Sequence, residues 1–144
     1  MRKNICLAVL TSAAMLVVGV SVASARATKE VVFRYASGVC ATGALEGSET
    51  TSSAIIHFPS NGTVAATIKL NKLDPNTTYQ VRLVQTPNGF TGNCGPVDTT
   101  LTTNAIGNGA LHWSEPRDPT TTGAFVLLQG GTQGFLATDG VLDQ

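Results

Sequence analysis

The sequence predicts an all-β chain, a single antiparallel Greek-key β-sandwich of about seven to nine strands. Three observations point there. Beyond residue 25 no stretch keeps a helical period over a useful length. Thr, Val, Gly and Asn dominate instead, and turn signals recur roughly every ten residues. The clearest segment, 63–70, alternates Val64, Ala66, Ile68 and Leu70 with Thr63, Ala65, Thr67 and Lys69. Such alternation buries one face and wets the other, as antiparallel sheets do.

The elements follow in order. Strands are expected near residues 31–36, 53–58, 63–70, 78–85, 99–103, 109–114, 124–129 and 135–138. Pro59-Ser60-Asn61-Gly62 separates the second from the third, and an Asn-Gly pair tolerates the positive φ of a tight turn, so those two form a hairpin. The Asn- and Gly-rich run from Asn104 to Gly109 predicts a second hairpin, between 99–103 and 109–114. It lacks the carboxylates a calcium ion requires, so it reads as turn chemistry. Residues 115–123, rich in Pro and Thr, form a polar connection that can close over one end, where Arg117 and Asp118 are placed to pair locally.

Ahead of these elements lies the pattern of an export signal: basic Arg2 and Lys3, an apolar run over residues 5–22, and the small-residue exit Ala23-Ser24-Ala25. Residues 1–25 are read as a signal peptide cleaved after Ala25, with an uncleaved anchor as the competing reading, and residues 26–144 as one β-sandwich domain. The expected location is secreted or on the exterior of the cell envelope, with no membrane insertion after cleavage. The nine Lys/Arg less Arg2 and Lys3 leave seven against nine Asp/Glu, a formal charge of −2 that argues against a nucleic-acid partner or an anionic membrane surface. In an oxidising compartment Cys40 and Cys94 are expected to form a disulfide, the alternative being two separate thiols. Neither has the CxxC neighbour or His companion of a catalytic or metal-binding cysteine.

Leu73-Asp74-Pro75-Asn76-Thr77-Thr78-Tyr79 resembles the tyrosine-corner segment of fibronectin type III domains. The resemblance implies an immunoglobulin- or fibronectin-like architecture. Leu73 would close the core face of the preceding strand, Pro75 would shape the corner, and Tyr79 would bury its ring while its hydroxyl meets upstream backbone. It bears on architecture and carries no chemistry. A looser similarity runs to exported Greek-key domains of the chordin-repeat and copper/zinc superoxide dismutase kind. Their paired metal histidines are missing, since Gln80, Val81 and Arg82 stand on the strand after the corner.

No cofactor and no metal site is expected: the two histidines, His57 and His112, are too few for a multi-histidine centre. No catalytic motif is present, neither GxSxG nor HExxH nor a Gly-rich phosphate loop before a helix. Two function classes remain. The first is a non-enzymatic structural or adhesion-like domain that binds an unidentified protein or surface partner. Its candidate contact is the loop 86–96, where Phe90, with Asn88 and Thr91 close by in the chain, offers apolar area on a cysteine-pinned segment. The alternative reading folds Phe90 back as a lid. The second class is a small-ligand binder or hydrolase with a site between end loops, for which His57, His112, Asp98 and Arg82 are the candidates. A carbohydrate platform lacks rings: Tyr79 belongs to the corner, and Trp113 shares the inward parity of Leu111.

Overall fold

The computed structural model describes residues 27–35, 47–87 and 94–143. Nine strands and no helix occupy them: β1 (Ala27–Tyr35), β2 (Ser48–His57), β3 (Thr63–Leu70), β4 (Thr78–Thr86), β5 (Thr99–Thr102), β6 (Gly109–Pro116), β7 (Gly123–Gln129), β8 (Phe135–Thr138) and β9 (Val141–Leu142). They form one antiparallel sheet in the order β5-β4-β7-β8-β1-β2-β3-β6, with β9 pairing β7. The terminal strands of that order, β5 and β6, approach each other, so the sheet is nearly closed like a barrel. Among the described residues no helix is long and apolar enough to cross a membrane. The expected signal peptide lies outside them.

Strand bounds agree with the alternation where alternation is strong. β3 and β8 span the expected residues, and β3 turns Val64, Ala66, Ile68 and Leu70 inward, each at most 1% exposed. β1 and β2 begin earlier than expected, through the polar stretches Ala27–Glu30 and Ser48–Ser52. A bulge explains the second. From Val31 to Phe33 β1 advances two residues while β2 retreats four, from Ser53 to Glu49. The extra β2 residues break the apolar period, and the Thr50 hydroxyl knits them in, donating to Val32 O at 2.6 Å and accepting from Ser52 N at 3.1 Å.

The first hairpin is present, with β2 and β3 antiparallel around residues 59–62. Only Gly62 of its Asn-Gly pair has positive φ, at 79°, and its N–H closes the turn on Pro59 O at 3.3 Å. The second expected hairpin is corrected: among the described residues no ladder joins β5 to β6, which pair with β4 and β3 instead. The loop between them spends its backbone groups on the segment before β4. Leu73 N–H donates to Gly107 O (3.1 Å), Asn76 N–H to Asn104 O (3.0 Å), and Thr103 N–H to Thr77 O (2.9 Å). A local turn signal therefore marked the reversal but not the partner.

One core fills the interior, drawing Ile56, Ile68, Tyr79, Val126 and Leu128 from both halves of the sheet, with Leu111 and Trp113 half-buried against it. A second cluster lies on the opposite face of β4, β7 and β8: Val84, Phe125, Leu127 and Ala137, flanked by Phe33, Phe135 and Cys94. β7 is thus buried on both faces, which accounts for its unbroken apolar run from Ala124 to Leu128.

Tyr79 is fully buried, and its hydroxyl accepts the Asp74 N–H at 3.3 Å. Burial first, and the Asp74 charge as a smaller influence, pushes its phenol up from the ordinary value. Asp74 in turn fastens the corner to the β7–β8 turn. Its carboxylate accepts Gln133 Nε2 (2.6 Å), Thr132 N (2.5 Å) and Thr132 Oγ1 (2.8 Å). These bonds, Gln133's above all, hold the carboxyl below the usual carboxylate range. A depressed folded pKa gives stability that is present above the unfolded value of 3.8 and lost as pH falls through the folded one. Asp74→Ala should therefore melt below the parent at neutral pH, and thermal scans in progressively more acid buffer should show that gap closing.

Glu30 behaves in the opposite sense. It sits on β1 opposite the buried Ala54, and burial first, then the Asp139 charge, raises its carboxyl above the ordinary 4.5. Its ionisation costs the folded state at neutral pH, a cost absent below the unfolded value. Glu30→Gln is expected to melt higher than the parent at neutral pH and to lose that advantage below about pH 4.5; melting both proteins across that range checks it.

Candidate functional site

Past Leu83, the inward row of β4 runs out of apolar residues, and Gln85 takes the next inward place at the end of the sheet. Facing it across the interior, β6 ends its own inward row, Leu111 and Trp113, with Glu115. Two amide and carboxylate groups therefore meet where a core would otherwise continue. Gln85 Nε2 donates to Glu115 Oε1 at 2.7 Å and to Pro116 O at 2.9 Å. Its Oε1 accepts Asp118 N–H and Thr121 Oγ1, both at 2.9 Å. One side chain thus ties β4 to the β6–β7 connection.

Around it opens a cleft of about 470 Å³, walled by Leu83, Gln85, Cys94, Asp98, Glu115 and Asp118 among others. Its acids are engaged. Asp98 Oδ2 accepts Leu83 N–H at 2.7 Å, while Asp98 N–H donates to Val81 O, so residue 98 extends the β4 edge just ahead of β5. Glu115 Oε2 accepts Trp113 Nε1 at 3.3 Å. Asp118 Oδ1 accepts the hydroxyl and N–H of Thr120, which hold its carboxyl below the ordinary value. Arg117 does not pair with Asp118 as expected. It forms an ion pair with Asp143, donates to Thr121 O at 2.8 Å, and stacks its guanidinium 5.3 Å from the Phe58 ring centre.

The sequence candidates are dispersed. Asp98 lines the cleft, but Arg82 lies on the outward row of β4, where it donates to Gln129 Oε1 at 3.4 Å. His57 and His112 share the outer face of β2-β3-β6 with all of β3 between them, roughly 12 Å apart by strand spacing. His112 Nδ1 meets Thr67 Oγ1 at 3.0 Å, whereas His57 Nδ1 is buried with no hydrogen-bond partner among the described residues. No site unites the four. Nor does any cluster of three or more His, Cys, Asp or Glu suited to a metal ion occur among the described residues.

Cys94 stands half-buried in the cleft wall and against the second apolar cluster, and it is an engaged side chain. Cys40 lies outside the described residues, as do Asn88, Phe90 and Thr91. Leu73 is buried and Pro75 exposed at the corner, with Tyr79 beneath. Sequence reasoning missed Gln85, Glu115 and Thr121. Only their parity carried a signal: Gln85 and Glu115 continue the inward rows of Tyr79-Val81-Leu83 and of Leu111-Trp113. Comparison with known protein families, curated proteins and solved structures returned no match.

Proposed function

We propose that this chain is an exported, non-enzymatic β domain that contacts a partner through the loops at the cleft end. One observation carries the reading: each cleft acid is already the acceptor for a structural donor. A general acid or base needs a carboxyl free to exchange its proton with substrate, and Asp98, Glu115 and Asp118 hold backbone, indole and hydroxyl groups instead. A binding role asks only for shaped, rigid walls, which Gln85 supplies. Within the all-β class we further propose a Greek-key sandwich, flattened so that one core serves both halves. The pairing of β3 with β6 and of β4 with β7 supports it, because each skips past consecutive strands as a Greek key does.

A disulfide between Cys40 and Cys94 would pin the loop bearing Phe90 to this end and lower the entropy of ordering it on contact. Hydroxyl-radical footprinting of the mature protein, alone and on cells of the producing organism, tests the reading. Protection at Pro87, Pro96 and residues 115–121 supports it; protection confined to the outer face of β2, β3 and β6, or none anywhere, refutes it.

A further inference from the structure

The turn between β2 and β3 places a reactive amide in an open setting. Asn61 is exposed, and its Oδ1 accepts both Thr63 N–H (3.2 Å) and Thr63 Oγ1 (2.7 Å). The next residue is Gly62, whose N–H makes a long 3.3 Å bond to Pro59 O. A Cβ built on Gly62 would meet nothing within 4 Å, so no neighbouring side chain packs over Gly62 Cα.

Asn108-Gly109 offers the same dipeptide in a different setting. Asn108 Oδ1 accepts Lys72 N–H at 3.0 Å, and its own N–H is bound to Asn104 Oδ1. Gly109 begins β6, opposite Leu70 in the ladder, with Thr102 O and the Leu101 side chain crowding it. Ring closure there must break strand structure.

We propose that Asn61 is a site of spontaneous modification, in which the Gly62 nitrogen displaces the side-chain amide. The Gly62 N–H gives its proton to hydroxide, and the nitrogen attacks Asn61 Cγ. The new N–Cγ bond forms, the Cγ–Nδ2 bond breaks, and ammonia leaves with a proton from water. Water then adds to either carbonyl of the resulting five-membered imide, giving an aspartyl or isoaspartyl residue at position 61. No oxidant or cofactor enters. The Thr63 donors face the oxygen on which negative charge develops during attack, so they favour the step.

The product reaches the cleft through one bond. Gly62 O accepts Arg117 N–H at 2.9 Å, anchoring the start of the connection that carries Asp118 and Thr121. An isoaspartyl link adds a methylene to the main chain just ahead of that acceptor and displaces it.

Peptide mapping of the native protein held at mildly alkaline pH tests the proposal, with the same protein in urea as reference. In urea Asn61-Gly62 and Asn108-Gly109, two of the three Asn-Gly dipeptides in the sequence, are unstructured and should convert at similar rates. In the native protein the Asn61 peptide should gain its mass unit at least about ten-fold faster than the Asn108 peptide, and Thr63→Val should slow it several-fold. Equal native rates, no conversion at Asn61, or a rate untouched by Thr63→Val would overturn it.

Discussion

Gly107→Ala is expected to destabilise the protein by about 4 kcal/mol or more, lowering its melting temperature by on the order of 15 °C. Gly107 has φ of 77°, a region where a side chain alone costs about 1–2 kcal/mol. The larger cost is steric. A Cβ here would lie 2.1 Å from Leu73 O, with Leu73 C and N at 2.9 Å. Those are backbone atoms of the corner and cannot swing aside as a flexible side chain would. The loop must lift, and the bonds from Leu73 N–H to Gly107 O and from Asn76 N–H to Asn104 O are stretched or lost. Gly62→Ala is the control, with nearly the same φ and open space around it; it should cost only about 1–2 kcal/mol. Equilibrium urea denaturation of the pair reads the difference. Equal losses would mean that the close approach of loop and corner is not part of the folded state.

The second large effect belongs to Tyr79. Tyr79→Ala removes a fully buried ring from the middle of the main core and should cost about 3–5 kcal/mol. Tyr79→Phe keeps the ring and removes only the acceptor of Asp74 N–H, so about 1 kcal/mol is expected. The same denaturation series measures both. A Phe variant as damaged as the Ala variant would assign the corner's stability to the hydroxyl; an Ala variant near the parent would show that the ring is not packed.

How far the chain could be read from its sequence follows from where the information sits. β3 and β8 were legible because alternation is a property of neighbours along the chain, and the Tyr79 ring because it lies within seven residues of Leu73 and its turn. β5 and β6 were misjudged because partner choice depends on residues far away: Thr77 and Leu73 compete for the backbone groups of the 103–108 loop. The early parts of β1 and β2 are polar and bulged, and so carry no apolar period. The β9 strand has two residues, too few for any pattern.

The cleft was harder still. Asp98 was picked out as a candidate for a ligand or hydrolase site, but nothing in the sequence showed that its carboxylate holds Leu83 N–H. Gln85 makes four hydrogen bonds across thirty or more residues of sequence, and nothing beside it in the chain announces them. His57 and His112 looked like a potential pair only because no spacing rule places an intervening β3 between them.

The proposed function includes export and a Cys40–Cys94 bridge, and the intact mass of protein recovered from culture medium addresses both. Alkylation is carried out with and without prior reduction. The exported chain should begin at Arg26 and take up two alkyl groups only after reduction, as a Cys40–Cys94 bridge requires. A chain that retains its first residues, or that alkylates at Cys40 and Cys94 without reductant, would contradict it.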